Sequence, residues 1–170
     1  MLKPKGNRFV HDTGSLLAGV PSLIVGENYT TPLNLEEVRD ELSKRSLSLY
    51  LEKLRVVEPS PSFVKLVKER AGELGENLSE ADVAVLALAL QVEGTLLSDD
   101  YGVLNVASEL GIPWKTVRTK GIGVRVKWTW YCPNCGKVYD RYLKECPICG
   151  SKLKRRPVTF DNKGKTLKRG

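Results

Sequence analysis

The sequence predicts an α/β fold: a parallel sheet covered by helices on both faces, followed by a small module built around cysteines. Three observations predict it. Short apolar runs alternate with helically patterned segments through the first 120 residues. All four cysteines fall between Cys132 and Cys149, in two Cys-Pro-x-Cys-Gly units. Charge divides at the same place. Residues 1–120 carry 14 Lys and Arg against 17 Asp and Glu, a net of −3, whereas residues 121–170 carry 13 against 3, a net of +10. The expected division is 1–120 for the α/β domain, 121–160 for the cysteine module and 161–170 for a flexible basic tail, with "KGIG" (120–123) as hinge.

The elements follow in order. "RFVHD" (8–12) reads as a first strand and "TGSLLAG" as the start of a helix. "ENYTT" (27–31) is a second strand, stopped by Pro32. Leu35, Val38, Leu42 and Leu49 recur near helical spacing and predict one helix with Glu37 in its first turn. "RVVEP" (55–59) is a third strand, and Phe63, Leu66, Val67 and Leu74 mark the next amphipathic helix. Ser79 and Asp82 form a capping-box start for "ADVAVLALALQV", and Gly94 stops it. "TLLS" (95–98) is a fourth strand, "YGVLNVASEL" a helix closed by Gly111, and "WKTVRT" (114–119) a fifth strand. "VRVKWTW" then alternates, with Val124, Val126, Trp128 and Trp130 on one face. That face reads as packing. The hydrophobic pattern is lost after about Phe160.

At 41% hydrophobic and 28% charged, the composition is globular. The longest apolar run, Val83–Leu90, is far short of the ~20 residues that span a bilayer. Ser15–Gly26 follows a basic start, but Asp12 precedes it and Pro21 interrupts it, so no secretory signal is expected. These features predict a cytoplasmic protein without a membrane segment.

Cys132-x2-Cys135 and Cys146-x2-Cys149, ten residues apart, have the spacing of a four-cysteine zinc site. Four thiolates leave no open position, so one structural Zn2+ is expected rather than a catalytic one. The alternative, a pair of disulfides, conflicts with a reducing cytosol. So short a module buries little core, and metal binding is what folds it. It displays Arg125, Lys127, Lys137, Arg141, Lys144, Lys152, Lys154, Arg155 and Arg156, candidates for phosphate contacts. The same charge also serves plain solubility. Tyr139 and Tyr142 suit either base stacking or packing.

Acids mark the ends of the predicted strands and the starts of the helices: Asp12, Glu37, Asp82, and the adjacent Asp99 and Asp100. Singly, each fits a helix cap or a dipole partner. In a parallel sheet whose first and fourth strands are neighbours, all of them open toward one carboxyl edge. Gathered there they repel, unless a divalent cation neutralises them. Carboxylates suit Mg2+ or Mn2+, cations that activate water against a phosphodiester. His11, the one histidine, rules out a two-histidine ribonuclease mechanism, and strand alternation turns it away from Asp12.

"FVHDTGSLL", "TTPLNLEEVRDEL", "LSEADVAVLALAL" and "LLSDDYGVLNVA" resemble the four acidic motifs of PIN domains, a metal-dependent nuclease fold. A PIN domain followed by a doubled CPxCG ribbon resembles the Nob family, over roughly residues 8–155. The fourth motif departs from the usual Thr-x-Asp: it is Ser98-Asp99-Asp100. In that frame Asp100 joins Asp12, Glu37 and Asp82 at the catalytic metal site. With the chain still extended there, neighbours point to opposite sides, so Asp99 is then the spare, a second candidate that caps the next helix or faces solvent.

The resemblance implies an endoribonuclease that cuts precursor small-subunit rRNA near its 3′ end, leaving a 5′-phosphate and a 3′-hydroxyl. RNA is the implied partner, with ribosome-assembly proteins beside it. Two alternatives stay open: a toxin-type PIN ribonuclease acting on tRNA or mRNA, and a non-catalytic RNA-binding scaffold.

Overall fold

The computed structural model describes residues 6–117, 124–139, 141–161 and 166–167, with backbone alone at 124–128, 157–161 and 166–167. The first sheet comprises β1 (Arg8–His11), β2 (Glu27–Thr30), β3 (Leu54–Val56), β4 (Thr95–Leu97) and β5 (Trp114–Lys115). All its pairings are parallel, in the order β3-β2-β1-β4-β5. Six helices connect these strands: α1 (Thr13–Leu17), α2 (Pro32–Glu36), α3 (Glu41–Ser48), α4 (Pro61–Leu74), α5 (Glu80–Val92) and α6 (Tyr101–Glu109).

The strand order reverses between β1 and β4. Right-handed crossovers therefore place the helices of the two halves on opposite faces. On one face α4, α5 and α6 bury Val67, Leu74, Leu86, Val103 and Val106 against Val10 and Leu96. On the other, Leu16 of α1 packs with Tyr50 and Leu54. Helix α5 is apolar almost all round, with Val83 through Ala89 buried, so it forms the centre of the core. Among the described residues no helix is long and apolar enough to cross a membrane.

The second sheet is antiparallel: β6 (Val124–Tyr131), β7 (Val138–Tyr139), β8 (Lys154–Asp161) and β9 (Thr166–Leu167), in the order β7-β6-β8-β9. Its long central pair runs from Val124↔Asp161 to Tyr131↔Lys154.

Three expectations change. The helix expected from Leu35 to Leu49 is two helices. Thr31 accepts from Asn34 N and starts α2 at Pro32, and Asp40 accepts from Ser43 N and starts α3. Val38 is buried between them, while Leu42 and Leu49, the supposed core positions, are 76% and 86% exposed. Glu37 is consequently the C-cap of a five-residue helix and not a first-turn residue. The stretch expected as a tail contains β9, which pairs with β8 at Thr159↔Leu167 and Phe160↔Thr166. Finally, β5 stops at Lys115, short of the expected Thr119. The hinge at 120–123 and the boundary between residues 120 and 121 lie outside the described residues, as do the side chains of Arg125, Lys127 and Trp128.

Candidate active site

The reversal of strand order opens a crevice between the carboxyl ends of β1 and β4, the usual ligand position of an open parallel sheet. Five acids line a cavity of about 360 Å³ there: Asp12, Glu37, Asp82, Asp99 and Asp100, with Thr13 and Gly14.

Asp12 follows β1 and caps α1, its Oδ1 accepting from Ser15 N at 2.7 Å. It is 8% exposed. Burial pushes its pKa above the usual carboxylate value, and the charges of Asp99 and Asp82 add to the rise. Hydrogen bonds from Ser98 and the Ser15 backbone oppose it. Asp82 reaches the cavity from the first turn of α5, in a complete capping box with Ser79. Its pKa is likewise raised by burial first, with the charges of Asp100 and Glu37 contributing. These carboxylates feel one another across the cavity, from four separate stretches of sequence.

Glu37 is held by a polar network absent from the sequence expectations. The Thr13 hydroxyl donates to Glu37 Oε2. Asn34, buried in α2, donates to Thr13 Oγ1 at 3.2 Å and accepts from the Thr31 hydroxyl at 2.5 Å. Ser98 supports the site in the same way. Fully buried, it hydrogen-bonds the Asp12 carboxylate, and its Oγ accepts from Asp100 N at 3.1 Å. One hydroxyl thus joins the acid after β1 to the acid after β4. That is a physical reason for a hydroxyl at the first position of the motif.

The expected split between Asp99 and Asp100 does not hold in its original form. Strand β4 ends at Leu97, so extended alternation no longer applies at 99 and 100. Asp100 is the cap of α6, its Oδ1 accepting from Val103 N at 3.0 Å; Asp99 accepts from Val117 N at 2.8 Å. Capping falls to Asp100 and not Asp99, and both line the cavity. His11 stands as expected. Fully buried, it sits between Ser15 Oγ and Asn28 Oδ1, each at 2.8 Å, and desolvation lowers its pKa to about 4. The amide oxygen of Asn28 only accepts, so Nε2 carries the proton and Nδ1 accepts from Ser15.

The cysteine module brings the Sγ atoms of Cys132, Cys135, Cys146 and Cys149 within 4.8 Å of one another, with all four thiols free. The Sγ separations are 3.3 Å for Cys132–Cys149 and 3.6 Å for Cys135–Cys146. A tetrahedral zinc with Zn–S near 2.3 Å sets sulfurs about 3.8 Å apart, so the donor set fits such an ion. Each knuckle closes on a glycine with positive φ, Gly136 at 74° and Gly150 at 70°. Their amides donate to Cys132 O at 2.9 Å and Cys146 O at 2.8 Å. Tyr139 donates its phenol to Cys146 Sγ at 3.1 Å, which lowers the Cys146 pKa and lifts that of Tyr139 to about 12. The Ser151 hydroxyl and amide hold Cys149 down at about 6. Tyr139 therefore serves the cysteine site. Tyr142 sets its ring edge-on to buried Trp130, with centroids 6.0 Å apart.

The described basic candidates, Lys137, Arg141, Lys144, Lys152, Lys154, Arg155 and Arg156, are all exposed. Three have contacts within the protein. Arg156 lies 5.4 Å from the Tyr131 ring centroid. Arg155 donates to Gly75 O. Arg141, with Tyr139 and Leu143, lines a cavity of about 580 Å³ against Arg70, Glu73 and Glu109 of α4 and α6. Such contacts between distant segments leave no local sequence signal.

A parallel sheet whose switch point gathers acids after β1, α2 and β4 and at the start of α5 defines a PIN-type nuclease. Residues 9–92 match the family described as PIN domain of ribonuclease. The chain is 36% identical over 163 residues to endoribonuclease Nob1 of Methanocaldococcus jannaschii, covering 94% of this chain and 83% of that protein. It is 41% identical to endoribonuclease Nob1 of Pyrococcus abyssi, covering 77% and 84%. It is 33% identical to ribonuclease VapC1 of Thermoplasma acidophilum, covering 88% and 78%. The chain belongs to the Nob1 endoribonuclease family and is an RNA-cleaving hydrolase.

Proposed function

We propose that Asp12, Glu37, Asp82 and Asp100, with Asp99 beside them, bind one or two Mg2+ or Mn2+ ions. There the protein cleaves precursor small-subunit rRNA near its 3′ end, leaving a 5′-phosphate and a 3′-hydroxyl. The observation that carries this is the single cavity lined by all five acids, two of them with raised pKa values. Each of the five accepts a hydrogen bond, but hydrogen bonds leave their mutual repulsion in place, and a hard cation removes it. A bound divalent cation supplies an activated water and neutralises charge on the leaving oxygen. The protein's own residues orient the site: Ser98 fixes Asp12 against Asp100, and Thr13 fixes Glu37.

In the same proposal, residues 1–120 form the nuclease domain, and residues 121–160 a ribbon that holds one structural Zn2+ and grips the RNA. The setting is the cytoplasm, alongside ribosome-assembly proteins. The toxin-type alternative has less support, because the Nob1 relatives match at 36% and 41% over most of the chain. Incubation of the full chain with a precursor rRNA fragment and Mn2+ tests the reading. The expected products carry a 5′-phosphate, and an uncut fragment counts against it.

The pair after β4 gives a sharper test. Asn at either position keeps an amide oxygen for the backbone bond and removes the charge. Asp99→Asn and Asp100→Asn are each expected to slow single-turnover cleavage on the order of 100-fold. An Asp99→Asn protein that cuts at the parent rate restores the view of Asp99 as a spare. For the ribbon, contact with about four phosphates of single-stranded RNA predicts a log affinity against log salt slope of about −3. A flat response removes the ribbon as the grip.

A further inference from the structure

Besides the surface around Arg141, the ribbon touches the nuclease domain at the turn between α4 and α5. Gly75 ends α4 in the left-handed conformation, φ 70°. Its carbonyl accepts from Arg155 Nη1 of β8 at 2.6 Å, across 80 residues of sequence. A charged donor on a carbonyl at a helix end satisfies a group that the helix itself leaves without a partner.

The next residue, Glu76, reaches α6. Its Oε1 accepts from Asn105 Nδ2 of α6 at 2.9 Å. Its Oε2 lies over the first turn of α6, since a Cβ placed on Gly102 would meet Glu76 Oε2 at 3.2 Å and Asp100 Oδ1 at 3.3 Å. Three residues beyond Glu76, Ser79 opens the capping box that orients Asp82. A single short turn, 75–79, therefore ties the ribbon to the start of α5, which carries Asp82, and to the start of α6, which carries Asp100.

We propose that Arg155 is a positioning residue for the nuclease centre: by clamping the 75–79 turn from the ribbon, it sets Asp82 and Asp100 for divalent-cation binding. The proposal rests on the acid-site reading above. It assigns Arg155 to the integrity of the cavity rather than to the RNA grip, and it makes the cysteine module a strut of the catalytic domain.

The test needs no RNA, so a phosphate-contacting role for Arg155 cannot move it. Mn2+ affinity is measured by electron paramagnetic resonance on the zinc-loaded full chain, with zinc content and Tm recorded for each variant. Arg155→Ala is expected to weaken Mn2+ binding about tenfold, the lower end for residues that support metal ligands. Asn105→Ala breaks the tie between the turn and α6 while leaving the ribbon contact intact. It is expected to weaken Mn2+ binding by a similar factor, and it carries the test if Arg155→Ala does not fold. The double variant should be weaker than either single by much less than the product, as for two residues on one path. Arg156→Ala, whose guanidinium lies over Tyr131 inside the ribbon, should bind Mn2+ like the parent. Parent affinity in Arg155→Ala and Asn105→Ala, or full additivity in the double variant, overturns the proposal. Its failure is distinct from failure of the acid-site reading, which shows instead as a parent without Mn2+ binding or an Asp12→Asn protein that binds as the parent does.

Discussion

Asp12→Asn is expected to slow RNA cleavage on the order of 1,000-fold while leaving the protein, in buffer free of Mg2+ and Mn2+, at least as stable as the parent. The two halves have one cause. Asp12 is 8% exposed and lies close enough to Asp99 and Asp82 for their charges to act on it. A carboxyl whose folded pKa lies above its unfolded value favours the folded state only while protonated. Its ordinary value is 3.8, and burial raises it in the fold. Stability therefore falls as pH rises from the unfolded value through the raised folded one, and at pH 8 the ionised form bears the whole cost. Asparagine removes that charge and keeps the Oδ1 that accepts from Ser15 N, and Asn caps a helix as well as Asp does. Added Mn2+ should raise the Tm of the parent and leave Asp12→Asn unmoved, since a ligand stabilises only the state it binds. An Asp12→Asn protein that cuts as fast as the parent removes Asp12 from the site. One that melts clearly lower in metal-free buffer shows that the carboxylate supports the fold rather than burdening it.

What the sequence made legible was whatever is encoded locally. Alternating apolar runs and capping signals located the strands and helices, and the Ser79–Asp82 capping box is present as expected. Parallel topology allows β1 and β4 to be neighbours, and on that condition the acids from Asp12 to Asp100 are expected at one edge; the β1–β4 pairing meets the condition. Two features failed for local reasons. Apolar spacing from Leu35 to Leu49 mimics one helix, but Thr31 and Asp40 each start a helix of their own. Strand alternation was carried two residues too far at Asp99 and Asp100, past the point where Ser98 turns the chain. The supporting polar residues Thr13, Asn34 and Ser98 were hidden for another reason. Small hydroxyl and amide side chains are ordinary turn and cap residues in any sequence. Only the fold shows which acid each one holds. The Arg155 contact with Gly75 is wholly nonlocal and carries no pattern to read.

Removing zinc is expected to have the largest structural effect. Among the ribbon residues whose side chains are described, Trp130, Cys132 and Cys146 are buried. A module of roughly 40 residues has too small a core to offset the entropy of ordering its sheet without a metal or disulfides. Structural zinc contributes about 10–16 kcal/mol to folding small modules of this kind. Cys146 is where that energy enters most directly: its thiolate takes the Tyr139 phenol, its carbonyl holds Gly150, and its amide donates to Ser151 O at 2.9 Å. A zinc-selective chelator, or Cys146→Ser, should therefore unfold the ribbon and abolish its share of RNA affinity. The five-stranded sheet has its own core of Val10, Leu86, Leu96 and Leu104 and should keep its melting transition. Circular dichroism melts, zinc content and RNA titrations on the same samples separate the two outcomes. If Cys146→Ser retains one zinc per chain and parent RNA affinity, the four-thiolate site is not what folds the ribbon. If instead both transitions vanish together, the two sheets form one cooperative unit, a coupling stronger than the Arg155 clamp and the surface around Arg141 supply.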